Sequence, residues 1–145
     1  MLNIAHYKII AIGKIKRKWI QEGIEMYLKR LPGLVVKEIK DNTQSKEEHA
    51  IKEIISKNEI LVTLNENGQS FTSKQLATKL LNSHNQNITF VIGGASGLSP
   101  SLSSYASWQL SLSPLTFPHE IARLLLIEQL YRAKTITQGS TYHNE

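Results

Sequence analysis

The segment that most constrains the fold is residues 88–92, Ile-Thr-Phe-Val-Ile, which is almost wholly apolar and runs directly into Gly93 and Gly94. A short apolar run of this kind is typical of a strand covered on both faces, such as a central strand of a parallel sheet. Further strands are predicted at residues 8–12, 34–39, 59–64 and 108–112, with helical patterns in the intervals between them. This alternation predicts an α/β fold with a mainly parallel sheet.

The predicted helices occupy about residues 19–31, 45–57, 73–82 and 102–106, with Ser73 as a cap of the third and Ser99-Pro100 opening the fourth. The last helix, about residues 119–133, begins after Pro118 and carries an apolar stripe too wide for one buried face. In so small a protein the most economical partner for this second surface is another copy of the chain. We therefore expect a homodimer with a twofold interface through the last helix.

Length and composition exclude several classes of protein. The 145 residues predict a single domain over residues 1–145, and the absence of cysteine excludes disulfide scaffolds, thiolate catalysis, zinc ribbons and iron–sulfur clusters. His6, His49 and His84 lack metal-ligand spacing, so we predict no metal site. No apolar run is long enough to span a membrane, and Lys8 stands where the apolar stretch of a signal peptide should continue. We expect no membrane partner and a cytoplasmic protein.

The charge balance favours a polyanionic partner. The chain has a net charge of +5 and a pI near 9.5. Its one dense group of positive side chains, called the basic cluster below, consists of Lys14, Lys16, Arg17 and Lys18. Such a cluster is typical of nucleic-acid contact, and a plain solvated surface is the alternative.

Residues 93–97, Gly-Gly-Ala-Ser-Gly, form a glycine loop between a predicted strand and a capped helix, an arrangement that allows backbone to approach a nucleotide closely. The spacing matches neither the dinucleotide nor the P-loop fingerprint, so an ordinary tight turn remains the alternative. No acidic residue lies between Glu66 and Glu120, which disfavours an NAD site. Ser96 lacks the spacing of a nucleophile elbow. His119 fits a capping or packing role as well as a direct role.

A set of motifs distributed over the whole chain carries a family resemblance. The quoted segments are Ile92-Gly93-Gly94, Gly97-Leu98-Ser99, Leu112-Ser113-Pro114-Leu115-Thr116-Phe117-Pro118-His119, Arg123, Glu128-Gln129-Leu130-Tyr131-Arg132-Ala133 and Tyr142-His143. With the early Gly13-Lys14 segment, Tyr27 and Thr63-Leu64, they resemble the RlmH family, the small methyltransferases of the SPOUT superfamily that modify large-subunit ribosomal RNA.

This resemblance implies an α/β domain with a C-terminal trefoil knot that binds S-adenosylmethionine. The cofactor would be held by loops matching Leu64, Gly93, Leu112, Ser113, Pro114, Leu115, Thr116 and Phe117. It also implies a homodimer in which the knot of one subunit and the tail and basic surface of the other enclose the target base. The implied reaction is methylation of N3 of pseudouridine 1915 in 23S rRNA on the assembled ribosome.

Three side chains are candidates for the catalytic work. His143 would accept the N3 proton or orient the base, with Tyr142 beside it as a stacking or hydrogen-bonding group, and Arg123 would stabilise charge developing on the uracil carbonyls. The alternatives are a disordered terminus for the first two and a surface ion pair with Glu120 or Glu128 for Arg123.

Lys14 and Arg17 are the predicted RNA contacts of the basic cluster. Asn144 stands where many relatives have a basic residue, which argues against a phosphate contact by the extreme tail. Two other functions compete with methyl transfer: a ribosome-binding module without enzymatic activity and a nucleotide-dependent oxidoreductase.

Overall fold

The computed structural model describes residues 1–144 and contains ten main elements. In chain order they are β1 (Tyr7–Ile12), α1 (Lys18–Leu28), β2 (Val35–Ile39), α2 (Gln44–Ile54), β3 (Ile60–Ser70), α3 (Ser73–Leu81), β4 (Ile88–Ile92), α4 (Pro100–Tyr105), β5 (Trp108–Ser111) and α5 (His119–Thr137). A short 3₁₀ turn, Ile4–His6, precedes β1.

The five strands form one sheet in the order β2-β1-β4-β3-β5, and every neighbouring pair is parallel. β4 lies at the centre and all five of its residues are buried, as the apolar run predicted. The predicted α/β fold with a parallel sheet is therefore confirmed. The trefoil knot stays a prediction.

Helices cover both faces of the sheet. A large apolar cluster joins one face to α1, α3 and α5, and a smaller cluster joins the other face to α2 and α4 through Ile51 and Leu102. β1 shows the division, because Ile9 packs into the large cluster and Ile10 into the small one. Burial on both faces explains why the inner strands lack a polar alternation.

β3 is longer than predicted. The strand pairs with β5 as far as Leu64, bulges outward over residues 65–68, and pairs with β5 again from Gln69, so that Leu110 is the partner of both Leu64 and Gln69. Gly68 makes this return possible, since a Cβ there would lie 2.8 Å from the carbonyl carbon of Gln109. The bulge thus depends on one close backbone approach.

Several helix ends also differ from the prediction, since α1 already ends at Leu28 and α2 at Ile54. Thr72, not Ser73, caps α3: its hydroxyl accepts from the Gln75 N–H at 3.1 Å while the Gln75 side chain accepts from the Thr72 N–H at 2.8 Å. Ser73 instead donates to Gln129 at 2.8 Å and ties α3 to α5. α5 continues beyond Ala133 to Thr137 and stops before Gly139, which has a φ of 72°.

Candidate active site

A cavity of about 720 Å³ lies at the bulge of β3, at the ends of β4 and β5, and at the start of α5. This is the carboxyl edge of the sheet, where ligands of open α/β folds are commonly found. Seven of the eight predicted cofactor positions line it, namely Leu64, Gly93, Leu112, Ser113, Leu115, Thr116 and Phe117. The eighth, Pro114, is exposed in the same loop but does not line the cavity. Folding therefore brings together residues that are far apart along the chain.

The glycine loop is both a tight turn and a wall of this cavity. The Gly97 N–H donates to the Gly94 carbonyl at 3.0 Å, and Gly97 has a φ of 71°, in the left-handed region. A Cβ on Gly93 would lie 2.9 Å from the carbonyl carbon of Gly97. The two interpretations of this loop are therefore compatible, because the turn that requires glycine is the one that presents bare backbone to the cavity.

Helix α2 holds the outer side of the glycine loop. The Gln44 amide donates to the Ser96 carbonyl at 2.7 Å, and Glu48 accepts hydrogen bonds from the hydroxyls of Ser99 and Ser101. Lys52 pairs with the same carboxylate at 2.8 Å, and the hydrogen bonds from Lys52 and Ser99 lower the pKa of Glu48 to about 2. No sequence motif had indicated a role for Gln44, Glu48 or Lys52.

The loop that follows β5 forms the opposite wall. The Leu115 N–H donates to the Ser113 hydroxyl at 3.1 Å, which closes a short turn at the cavity. Leu115 itself is 70% exposed although it is a large apolar residue. A solvent-exposed apolar side chain at the mouth of a cavity is suited to covering a bound ligand.

The basic cluster lies beside the same cavity because Glu120 holds it there. One oxygen of the buried Glu120 carboxylate accepts from the backbone N–H groups of Lys16 at 3.0 Å and Arg17 at 3.1 Å, and the Arg17 guanidinium lies 3.5 Å from the other oxygen. The backbone hydrogen bond from Arg17 is the main cause that holds the pKa of Glu120 below its usual range. Lys14 and Arg17 both remain exposed. Glu120 is the first acid after the long acid-free stretch, and no sequence motif had indicated its contacts with the basic cluster.

Arg123 is buried at the same end of α5. Its guanidinium donates to Glu38 at 2.6 Å and to the Gly13 carbonyl at 3.0 Å, while Nε has no hydrogen-bond partner among the described residues. The alternative of a surface ion pair with Glu120 or Glu128 is therefore wrong. In this arrangement Arg123 fixes the turn from which the basic cluster begins.

Tyr142 and His143 lie at the opposite end of α5 and are packed rather than frayed. The Tyr142 ring meets Tyr131 edge-on at 4.8 Å between centroids, and its hydroxyl lies 3.3 Å from both the Tyr27 hydroxyl and a Glu128 oxygen. Burial and the hydrogen bond with Tyr27 raise the pKa of the Tyr142 hydroxyl. The alternative of a disordered terminus is wrong for these two residues.

Arg132 connects the tail to α5. Its guanidinium lies 4.8 Å from the centre of the Tyr142 ring, donates to Nδ1 of His143 at 3.0 Å, and pairs with Glu128 at 2.5 Å. Arg132 and Glu128 thus hold Tyr142 and His143 against α5. Both residues belong to the motif at residues 128–133, but only their contacts with Tyr142 and His143 indicate a role for them.

The predicted site residues therefore form two groups in this chain. His119 lines the cavity, whereas Arg132 lies thirteen residues later on the same helix, a separation of about 20 Å at 1.5 Å per residue. Arg123 and the basic cluster belong to the cavity end, and Tyr142 and His143 belong to the far end.

Membrane spans and metal clusters are both absent from the described residues. None of the helices within residues 1–144 is both long and apolar enough to cross a membrane. Within the same residues, no three histidine or acidic side chains are grouped so that they could hold a metal ion.

Known proteins are similar in sequence to this chain over its whole length. A protein named ribosomal RNA large subunit methyltransferase H from Prochlorococcus marinus (strain NATL2A) is 90% identical over 145 residues, which cover all of both chains. The protein of the same name from Synechococcus sp. (strain CC9605) is 51% identical over 98% of this chain and 99% of its own.

Solved structures show the same fold at low sequence identity. A probable methylase family protein from Haemophilus influenzae Rd KW20 superposes with a TM-score of 0.61 at 14% identity and covers 99% of this chain and 72% of its own. The methyltransferase AviRb from Streptomyces viridochromogenes, solved in complex with AdoMet, has a TM-score of 0.50 at 11% identity and covers 88% and 57%. Residues 5–143 match the family described as predicted SPOUT methyltransferase, and with the full-length relatives this shows that the chain belongs to the SPOUT methyltransferase family.

Proposed function

We propose that this protein transfers a methyl group from S-adenosylmethionine to N3 of pseudouridine 1915 in 23S rRNA, acting on the assembled ribosome. The observation that carries the proposal is the cavity at the carboxyl edge of the sheet, which gathers seven of the eight predicted cofactor positions. The names of the full-length relatives support ribosomal RNA of the large subunit as the substrate.

The cavity fits S-adenosylmethionine in size and chemistry. A volume of about 720 Å³ is within the range of small-molecule sites. The glycine loop offers backbone without Cβ atoms on one side, and apolar residues such as Leu112 and Phe117 line another. When bound, the cofactor supplies an electrophilic methyl group on a sulfonium. The protein's task is to align that methyl group with the attacking nitrogen, because an in-line displacement gains most from positioning.

A second copy of the chain would complete the site. In one subunit the tail lies about 20 Å along α5 from the cavity, too far to touch a base held there. If two α5 helices cross antiparallel about a twofold axis, the tail of each approaches the cavity of the other. Leu125 supports this arrangement, since it is only partly buried and lies outside both apolar clusters of the described residues, whereas Ile127 is fully buried.

The contacts of His143 favour an orienting role over that of a base. Arginine can only donate, so the 3.0 Å contact with Arg132 makes Nδ1 of His143 the acceptor and leaves the ring proton of the neutral imidazole on Nε2. Held in this orientation by Arg132, the imidazole is suited to keeping the base in register. Tyr142 and Arg132 then supply an aromatic edge and a positive charge next to the base as its N3 proton leaves.

Arg123 would act on the same reaction at the cavity end. Its guanidinium is committed to Glu38 and to the Gly13 carbonyl, so it acts by fixing the turn that places the basic cluster. Lys14 and Arg17 then bind backbone phosphates of the RNA. This arrangement brings positive charge to the cavity rim, where a polyanionic substrate must dock.

Incubation with ribosomes that lack the modification tests the proposal. Methyl transfer from labelled S-adenosylmethionine, with mass spectrometry of the digested 23S rRNA, should show one methyl group at N3 of pseudouridine 1915. Free 23S rRNA is the matched substrate and should react poorly. Ribosome binding without methyl transfer would favour a non-enzymatic module, and calorimetric binding of NAD in place of S-adenosylmethionine would favour an oxidoreductase.

A further inference from the structure

Among the described residues 1–144, a single acidic residue lines the cavity. It is Glu66, and His119 is the only other titratable residue in that part of the lining. We infer that Glu66 is a specificity-determining residue that makes the cavity prefer the positively charged methyl donor to its neutral product. This inference rests on the proposed use of S-adenosylmethionine.

The bulge of β3 puts Glu66 in place. Residues 65–68 leave the sheet between the two pairings with Leu110, and the Glu66 carbonyl accepts from the Ser111 hydroxyl at 3.0 Å. The Asn65 side chain accepts from the Asn67 N–H at 2.9 Å, which closes the tip of the bulge. The backbone that carries Glu66 is therefore fixed both to β5 and by its own turn.

The Glu66 carboxylate is not engaged elsewhere in the described part of the chain. Its backbone carbonyl has a partner, but no hydrogen bond or ion pair joins its side chain to another residue within 1–144. Other acids near the site do not line the cavity: Asp41 lies behind Gly94, and Glu120, Glu38 and Glu48 are each occupied by arginine, lysine or backbone N–H groups. A carboxylate without a protein partner at a cavity wall is available to a ligand cation.

Methyl transfer changes the charge of the cofactor by one unit. The S–CH₃ bond breaks, its electron pair stays on sulfur, an N–CH₃ bond forms at N3, and the N3 proton is released to water. A sulfonium thus becomes a neutral thioether, while the nucleoside and amino-acid parts remain the same. A nearby carboxylate attracts the positive sulfonium of the donor but not the neutral thioether of the product. Glu66 should therefore favour binding of the donor and release of the product.

The test compares the two cofactor forms on Glu66→Gln by calorimetry. We expect the preference for S-adenosylmethionine over S-adenosylhomocysteine to fall by about three- to tenfold, as a solvent-exposed charge within several ångströms would give. Glu53→Gln removes the same charge from an exposed position on α2 and should leave the preference unchanged. Added salt should weaken donor binding to the wild type more than to Glu66→Gln.

Each other outcome overturns the inference in a distinguishable way. Unchanged binding of both forms would show that Glu66 does not act on the cofactor. If the binding of both forms weakened equally, Glu66 would contact a part of the cofactor that donor and product share. If the wild-type protein bound neither form, the proposed function itself would fail.

Discussion

Replacing Glu120 tests how the basic cluster is attached to the cavity. Glu120→Ala removes the acceptor of the Lys16 and Arg17 N–H groups, and each orphaned, partly buried donor costs about 1–3 kcal/mol. Because water can reach this loop in part, we expect a total destabilisation of about 2–3 kcal/mol. Glu120→Gln keeps an oxygen acceptor but removes the charge, and it should destabilise the fold by about 1 kcal/mol. At roughly 3–4 °C per kcal/mol for a chain of this size, Glu120→Ala should melt about 6–12 °C below the wild type.

The pH dependence gives a second readout of the same contact. The pKa of Glu120 is lower in the folded protein than in the unfolded chain. The ionised carboxylate therefore contributes fully to stability above the ordinary glutamate pKa of about 4.3, and this stability is lost as the pH falls through the folded-state pKa. Glu120→Gln has no such carboxylate. The stability difference between wild type and Glu120→Gln, measured by urea unfolding, should therefore be constant near neutral pH and shrink below about pH 4. A difference that stays constant down to about pH 3, or equal melting temperatures for all three proteins, would refute this account of the loop.

Three further predictions concern the cofactor, the dimer and the RNA. Gly93→Val should abolish S-adenosylmethionine binding in calorimetry while circular dichroism still reports a folded protein, because the added side chain collides with the glycine-loop backbone; retained affinity would argue against this wall of the cavity. Leu125→Lys should shift the protein from dimer to monomer in sedimentation, and a stable wild-type monomer at micromolar concentration would exclude the interface. Lys14→Ala combined with Arg17→Ala should weaken ribosome binding and reduce its log–log salt slope by about one for each phosphate that is no longer neutralised, and an unchanged slope would make the cluster ordinary surface.

The fold was predictable where one local pattern had one physical meaning. The apolar run of β4 could only be buried on both faces, and the structure places it at the centre of the sheet. Ser99 followed by Pro100 is a strong helix start, and α4 begins there with the Ser99 hydroxyl accepting from the Leu102 N–H. The glycine loop was visible for the same reason, since glycines between a strand and a helix have few other uses.

Local pattern failed where two residues offered the same chemistry. Thr72 and Ser73 both carry a hydroxyl that can cap a helix, but only Thr72 has a glutamine three residues later to complete a capping box. That signal was present in the sequence and would have chosen correctly. The extension of β3 had no such signal, because residues 65–68 are polar or glycine and only their contact with β5 brings the strand back.

The long-range contacts of the site were beyond any local pattern. Arg123 meets Glu38 from 85 positions away, and Glu120 meets Arg17 of the basic cluster from 103. Periodicity fixes which face of a helix is buried but not which distant loop arrives there. Family resemblance placed the cavity residues together, whereas the attachments that hold the cavity walls required the structure.

The central claim is that the cavity of one subunit and the tail of the other form one methylating site. The direct measurement is methyl transfer to ribosomes by heterodimers purified through two different affinity tags, in which one subunit carries Gly93→Val and the other lacks residues 142–145. Each corresponding homodimer should be inactive, and the heterodimer should recover about half the wild-type activity, because one of its two sites has an intact cavity and an intact tail. A heterodimer that forms but remains inactive would contradict the claim, and so would full activity of the homodimer that lacks the tail.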